Sequence, residues 1–127
     1  MKIDKLMIGD LINVNGIVRV REISEGTGRC CYEDKYGSYW AREVAPIPLT
    51  IEMLLANGFT KFVDGYRRTF YNYVVDNNLM LDISDWEDEG LKVAVGGKFR
   101  ELKYVHELQH ILRLIGLGEV ANNFKIK

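Results

Sequence analysis

Residues 46–59 read Pro-Ile-Pro-Leu-Thr-Ile-Glu-Met-Leu-Leu-Ala-Asn-Gly-Phe, and this stretch decides the fold class. Neither Pro46 nor Pro48 can donate to a β-ladder, and each biases its predecessor toward extended backbone, so a sheet running up to this point stops here. Thr50 suits the N-cap of a short helix over about 51–57, with Glu52 at the positive end of the helix dipole. Asn57-Gly58 provides a left-handed stop, and Phe59 is the apolar residue that folds back over it.

The sequence on both sides reads as strand. Toward the N-terminus, Gly9-Asp10 opens a meander in which Leu11 to Val14 runs into the turn former Asn15-Gly16, and Ile17, Val18, Val20 and Ile23 continue beyond it. Residues 29–33 and 38–41 flank Asp34-Lys35-Tyr36-Gly37, a type I turn composition. The expected product is a small, strongly bent antiparallel sheet of SH3-like size. Toward the C-terminus, Phe70, Tyr71, Tyr73, Val74 and Val75 lead into Asp76-Asn77-Asn78. Leu79, Leu81 and Ile83 then alternate, and Leu91, Val93 and Val95 form one more strand before Gly96-Gly97. Val105, Leu108, Ile111, Leu112 and Ile115 recur at helical spacing until Gly116 to Gly118 end the pattern.

These readings assemble an α+β chain with an N-terminal SH3-like antiparallel β subdomain (1–48). A second segment (49–127) holds the short helix, a second antiparallel meander over about 59–95 and a C-terminal helix packed on sheet; the two can form one compact domain.

Composition narrows the function classes. Lys plus Arg is 17 against 18 Asp plus Glu, a formal net charge of −1, which supplies no cationic excess for the phosphate backbone. Asp4, Lys5 and Asp10 interrupt the opening apolar residues, unlike the core of a signal peptide, and no apolar run approaches the ~18 residues of a membrane span. Cys30 and Cys31 are adjacent; in a strand they point to opposite faces and cannot bridge without strain, so they read as reduced thiols of a cytoplasmic protein.

One catalytic pattern stands out. His106-Glu107-Leu108-Gln109-His110 fits H-E-x-x-H, in which two imidazoles on one helical face share a zinc ion while the Glu activates water. A catalytic zinc needs a third protein ligand, yet no His follows, and Glu119 beyond a Gly-rich stop is a poor candidate. Arg113 and Gly116 stand where a metzincin carries Gly and His, and Arg113 sets a cation beside the would-be dication. The expectation is therefore that His106 and His110 lie on the outward face of a helix whose opposite stripe is buried. The zinc-dependent hydrolase using His106, His110 and Glu107 remains the alternative.

Other constellations read as structural. Asp82, Asp85, Glu87, Asp88 and Glu89 lack EF-hand spacing and suit a solvated acidic turn. Arg67-Arg68 beside Tyr66, Phe70, Tyr71 and Tyr73 resembles a stacking surface for single strands, although aromatic residues in strands more commonly pack cross-strand. Trp40 and Trp86 read as core or rim. Ser24, Ser38 and Ser84 have no nucleophile context.

Three tracts taken in order, KIDKLMIGDLINV, APIPLTIEMLLANGF and LKYVHELQHILRLIGL, resemble a family of small uncharacterised proteins found in gut anaerobic bacteria, their prophages and mobile elements. In that family the closing tract often resembles V-H-Q-L-Q-N, with amides at the positions of Glu107 and His110. The resemblance thus implies that a zinc site is not required, and it brings no known activity. The reading is a noncatalytic cytoplasmic interaction module without a cofactor, its partner a protein. The second alternative is an SH3-like module that binds nucleic acid through Arg19, Arg21, Arg29, Arg67 or Arg68.

Overall fold

The computed structural model describes residues 5–24, 26–34, 36–95 and 97–126, so Asp4, Lys35 and Gly96 of the expectations above lie outside the described residues. In chain order its elements are β1 (Leu11–Asn13), β2 (Ile17–Ser24), β3 (Arg29–Asp34), β4 (Gly37–Ala41), α1 (Ile51–Ala56), β5 (Thr60–Val63), β6 (Thr69–Val75), β7 (Asn78–Asp85), β8 (Leu91–Val95), β9 (Lys98–Glu101), α2 (Val105–Leu114) and α3 (Gly118–Asn122). The fold is α+β, with one four-stranded and one five-stranded antiparallel sheet, each a meander in sequence order.

The chain divides into two compact units. The first holds residues 1–48 together with 104–123, and the second holds 49–103 with the last four residues. The C-terminal helix, expected with the second segment, groups with the first unit, where its Gln109 and Arg113 side chains bond to residues 9–11.

In the first unit Asn15 and Gly16 both carry positive φ (55° and 142°) in the loop before β2, and Gly16 N–H caps back onto Asn13 Oδ1 at 2.9 Å. Such φ values suit Asn and Gly and few other residues. After β4 the chain returns to β1, where Asn13 and Ala45 exchange both backbone hydrogen bonds at 2.9 and 3.0 Å. The free side of β1 is thereby taken up. Leu6, Ile12, Val20, Cys30 and Val44 form the core, with Val14, Val18, Ile23 and Ala41 around it. The α2 stripe behaves as its periodicity demands, with Val105, Leu108 and Leu112 fully buried, and α2 contacts β1.

In the second unit Thr50 Oγ1 accepts from Met53 N–H (3.3 Å), and Phe59 N–H bonds back to Leu54 O (3.1 Å) past Gly58 (φ 91°), as the capping signals require. Asn57 and Lys125 exchange two hydrogen bonds of 2.7 Å, which holds the chain end on the helix C-cap. The β6–β7 hairpin turns on Asp76 and Asn77, both left-handed (φ 51° and 66°). Strand alternation gives a buried face with Tyr71, Ile83 and Val93. The other face carries Phe62, Phe70, Ser84 and Lys92 across successive strands and Phe99 on β9. On that second face Phe62 is 53% and Phe99 61% exposed. Two elements were absent from the expectation, β9 and α3, both short and without a strong apolar period. No helix among the described residues is long and apolar enough to cross a membrane.

Candidate functional site

The H-E-x-x-H residues sit on the first two turns of α2, and each is engaged by the first unit. Glu107 reaches back so that its Oε1 accepts from Tyr104 N–H at 2.9 Å, the return half of a capping box at the helix start. The carboxylate that would activate water thus caps its own helix.

The expectation that both histidines face outward is overturned. His106 is 6% exposed, its ring stacked on Tyr104 with centroids 5.9 Å apart and set edge-on to His110 at 5.5 Å. Its Nδ1 is buried without a hydrogen-bond partner among the described residues, and burial pushes the imidazole below its ordinary pKa, opposed in part by Asp10. His110 Nε2 lies 2.6 Å from Asp10 Oδ2. The reason is that α2 is buried on more than one stripe: Val105, Leu108, Gln109 and Leu112 form one, and the arc of His106, His110 and Arg113 packs toward Asp10.

Asp10 is the centre of this cluster and has no exposed surface. Oδ2 also accepts from Met7 N–H at 2.7 Å, and Oδ1 accepts from Arg113 Nη1 at 2.6 Å. Arg113 does stand beside the histidine pair, and its charge is matched by this carboxylate. A buried carboxylate needs such compensation, because an unpaired charge in the interior is costly. Gly9, the residue before it, adopts φ 93°, and a Cβ there would meet Asn122 Oδ1 at 2.9 Å and Arg113 Nη2 at 3.0 Å, so both conformation and space call for glycine.

Gln109 completes the arrangement. It is fully buried; its Oε1 accepts from Leu11 N–H (2.9 Å), and its Nε2 donates to Gly9 O (3.1 Å) and Ala121 O (2.8 Å). One amide thereby joins the start of β1, α2 and α3. Asp10 and Gln109 were missed as site residues. Gln109 had a signal, being the polar residue on the stripe four positions after Val105 and three before Leu112. Asp10 had none beyond being a charge inside an apolar run.

Chemically the carboxylate at the centre of the cluster is saturated. Asp10 would be the third protein ligand that the sequence lacked, but its oxygens are held by a backbone N–H, an imidazole and a guanidinium. Among the described residues no three His, Cys, Asp or Glu side chains are arranged to hold a metal ion. Glu119 heads α3 and joins no such group. The thiols are poor nucleophiles as well: Cys30 and Cys31 are both buried, and burial pushes the Cys30 thiol up.

The remaining candidates disperse. Of the acidic run, Asp82 lies within β7 with its carboxyl pushed up by burial. Asp85 accepts from Glu87 N–H (2.9 Å), and Glu89 pairs with Lys92 (3.5 Å). A surface hollow of about 530 Å³ has Asp85, Glu87, Asp88, Glu89 and Glu101 along its walls with Leu49, Ile51 and Leu91. Arg19 donates to Gly9 O (2.8 Å), Arg21 lies 3.8 Å from Glu33, and Arg29 begins β3. In the second unit Arg67 occupies a left-handed turn position (φ 65°), while Arg68 and Lys92 both lie over the Trp86 ring, at 4.9 and 4.2 Å. Tyr66 is 94% exposed at the same turn and Tyr71 is buried, so the aromatic run splits between surface and core. Trp86 also meets Phe99 edge-on at 5.5 Å and donates to Ser84 Oγ at 2.7 Å.

Comparison of the chain with protein-family models, with curated proteins and with solved structures gave no match.

Proposed function

We propose that this chain is a noncatalytic cytoplasmic interaction module of phage or mobile-element type, with a protein as its partner. The observation that carries the reading is the engagement of the H-E-x-x-H side chains in holding the first unit together: Glu107 caps α2, His110 is bound to Asp10, and His106 is enclosed. A general base must reach a water or substrate proton, and a zinc ligand must present a lone pair into an open site. Neither condition is met by groups with these partners.

The exposed aromatic face of the five-stranded sheet supports the protein partner. Phe62 and Phe99 present large apolar area to solvent, and such exposed apolar surface marks docking sites. In the first unit, the short meander closed by the Asn13–Ala45 bridge supports an SH3-like comparison. The five arginines of the nucleic-acid alternative are divided between the two units, and Arg19 and Arg21 have protein partners.

Capture from the native host with the purified chain as bait tests the reading when run beside a Phe62→Ser/Phe99→Ser variant. A protein retained by the parent chain and lost by the variant is expected. Peptide hydrolysis abolished by Glu107→Gln, or tight binding of a random oligonucleotide at physiological ionic strength, would replace the reading with one of its alternatives.

A further inference from the structure

We propose that β4 is a pairing edge through which two copies of this chain join antiparallel, with Tyr39 on the two-fold axis. The inference does not rest on the interaction-module reading, since a dimer is compatible with either outcome there.

The argument begins with the hairpin. Asp34 pairs with Gly37 across two intervening residues, and the pair that flanks a two-residue turn exchanges hydrogen bonds. Alternation then makes Tyr32–Tyr39 and Cys30–Ala41 the hydrogen-bonded pairs. Glu33–Ser38 and Cys31–Trp40 are the others. The backbone N–H and C=O of Ser38 and Trp40 therefore point away from β3, and β3 is the one strand beside β4 in its sheet.

An open edge of this kind is normally guarded by charge. The other edges are: β5 carries Lys61, β9 carries Lys98, Arg100 and Glu101, and the outer side of β1 is occupied by Ala45. β4 reads Gly-Ser-Tyr-Trp-Ala, with no charged residue, and Tyr39 and Trp40 are 42% and 49% exposed. It is the unguarded edge among the described strands.

A second copy fits it by symmetry. Antiparallel pairing about Tyr39 sets Ser38 opposite Trp40 of the partner subunit and Trp40 opposite Ser38 of the partner subunit, so the outward groups on both sides are used and four bonds form. It also sets Gly37 against Ala41 of the partner subunit. No like charges meet along the seam.

Sedimentation equilibrium of the full chain from 1 to 200 µM, with Ser38→Pro and Trp40→Lys beside it, tests the dimer. Proline at residue 38 removes two of the four seam bonds while leaving the β3 pairing intact, because Ser38 N–H faces outward. The parent is expected to show a monomer–dimer equilibrium, weakened at least ~30-fold in Ser38→Pro, with the two melting temperatures equal at concentrations where both are monomeric. Trp40→Lys should weaken it similarly, which covers the case in which the proline variant fails to fold. Tyr39→Cys, oxidised with glutathione disulfide, should form a covalent dimer, since residues facing each other in a non-hydrogen-bonded pair have Cα atoms ~4.5 Å apart. Phe62→Cys should not. A parent that is monomeric throughout, a dimer indifferent to both β4 variants, or an open series of larger oligomers would each overturn the inference.

Discussion

Replacing Gln109 with Leu should remove much of the stability of the first unit. The substitution keeps the approximate size of the side chain and deletes every polar atom that joins Leu11, Gly9 and Ala121. Leu11 is buried, so its N–H is left without a partner, at about 1–3 kcal/mol, whereas Ala121 O keeps the N–H of Asn123 at the end of α3 and its loss adds about 0.5 kcal/mol. Gly9 O keeps Arg19 at 2.8 Å and lies near the surface, so its loss adds about 0.5 kcal/mol. The sum is about 2–4 kcal/mol, against a total of about 6–19 kcal/mol for a chain of this length. Urea denaturation in a Trp86→Phe background reads the first unit through Trp40. With an m-value of about 1–2 kcal/mol/M, the midpoint should fall by roughly 1–4 M. A midpoint that moves by less than about 0.5 M would refute the interlock and mean that water satisfies these groups as well as the amide does.

Three further outcomes follow from the same cluster. Burial lowers the His106 pKa below its unfolded value near 6.5, so the unfolded chain takes up the extra proton. The stability that neutral His106 contributes is complete above about pH 6.5 and is lost as pH falls through that value toward the folded pKa. The urea midpoint should therefore drop between pH 7.5 and 5.5, and drop less in His106→Gln; equal drops would place the sensitivity elsewhere. Asp10→Asn leaves Arg113 and His110 without their carboxylate and should cost about 3 kcal/mol, toward the lower end for breaking a buried pair because both partners retain some solvent contact; an unchanged thermal midpoint would mean that water replaces the carboxylate. Protein prepared without added metal should hold well under one zinc per chain by elemental analysis, with a melting temperature unaltered by chelator. One zinc per chain and a chelator-lowered melting point would show a site that the native state stabilises by mass action.

Much of the secondary structure was legible because its signals are local. The Thr50 cap, the Asn57-Gly58 stop and the left-handed Asp76-Asn77 turn each depend on a few neighbouring residues, and the alternation of Leu79, Leu81 and Ile83 declares one face of β7. β9 and α3 escaped because Lys-Phe-Arg-Glu and Gly-Glu-Val-Ala-Asn offer neither period nor length. The polar cluster was opaque for a different reason. Asp10 and His110 are 100 residues apart, and nothing near either of them encodes the other. The outward assignment of the histidines assumed one buried stripe on α2, whereas the helix buries a second arc that ends on a carboxylate supplied from the far end of the chain. Gln109 was readable in principle, since an amide at a core position of a helix must be bonded to something.

The order in which the chain is made bears on how the first unit is completed. Leu11 waits for an acceptor that lies 98 residues downstream. At about 5–20 residues per second of translation, that interval is roughly 5–20 s. During it β1 to β4 can pair, since their contacts are local, and β5 to β9 can form their own sheet, but the N–H of Leu11 has no final partner and the carboxylate of Asp10 has Met7 N–H without His110 and Arg113. The nascent N-terminal meander is thus held open to correction until α2 leaves the ribosome, and Gln109 acts as a late latch on the first unit.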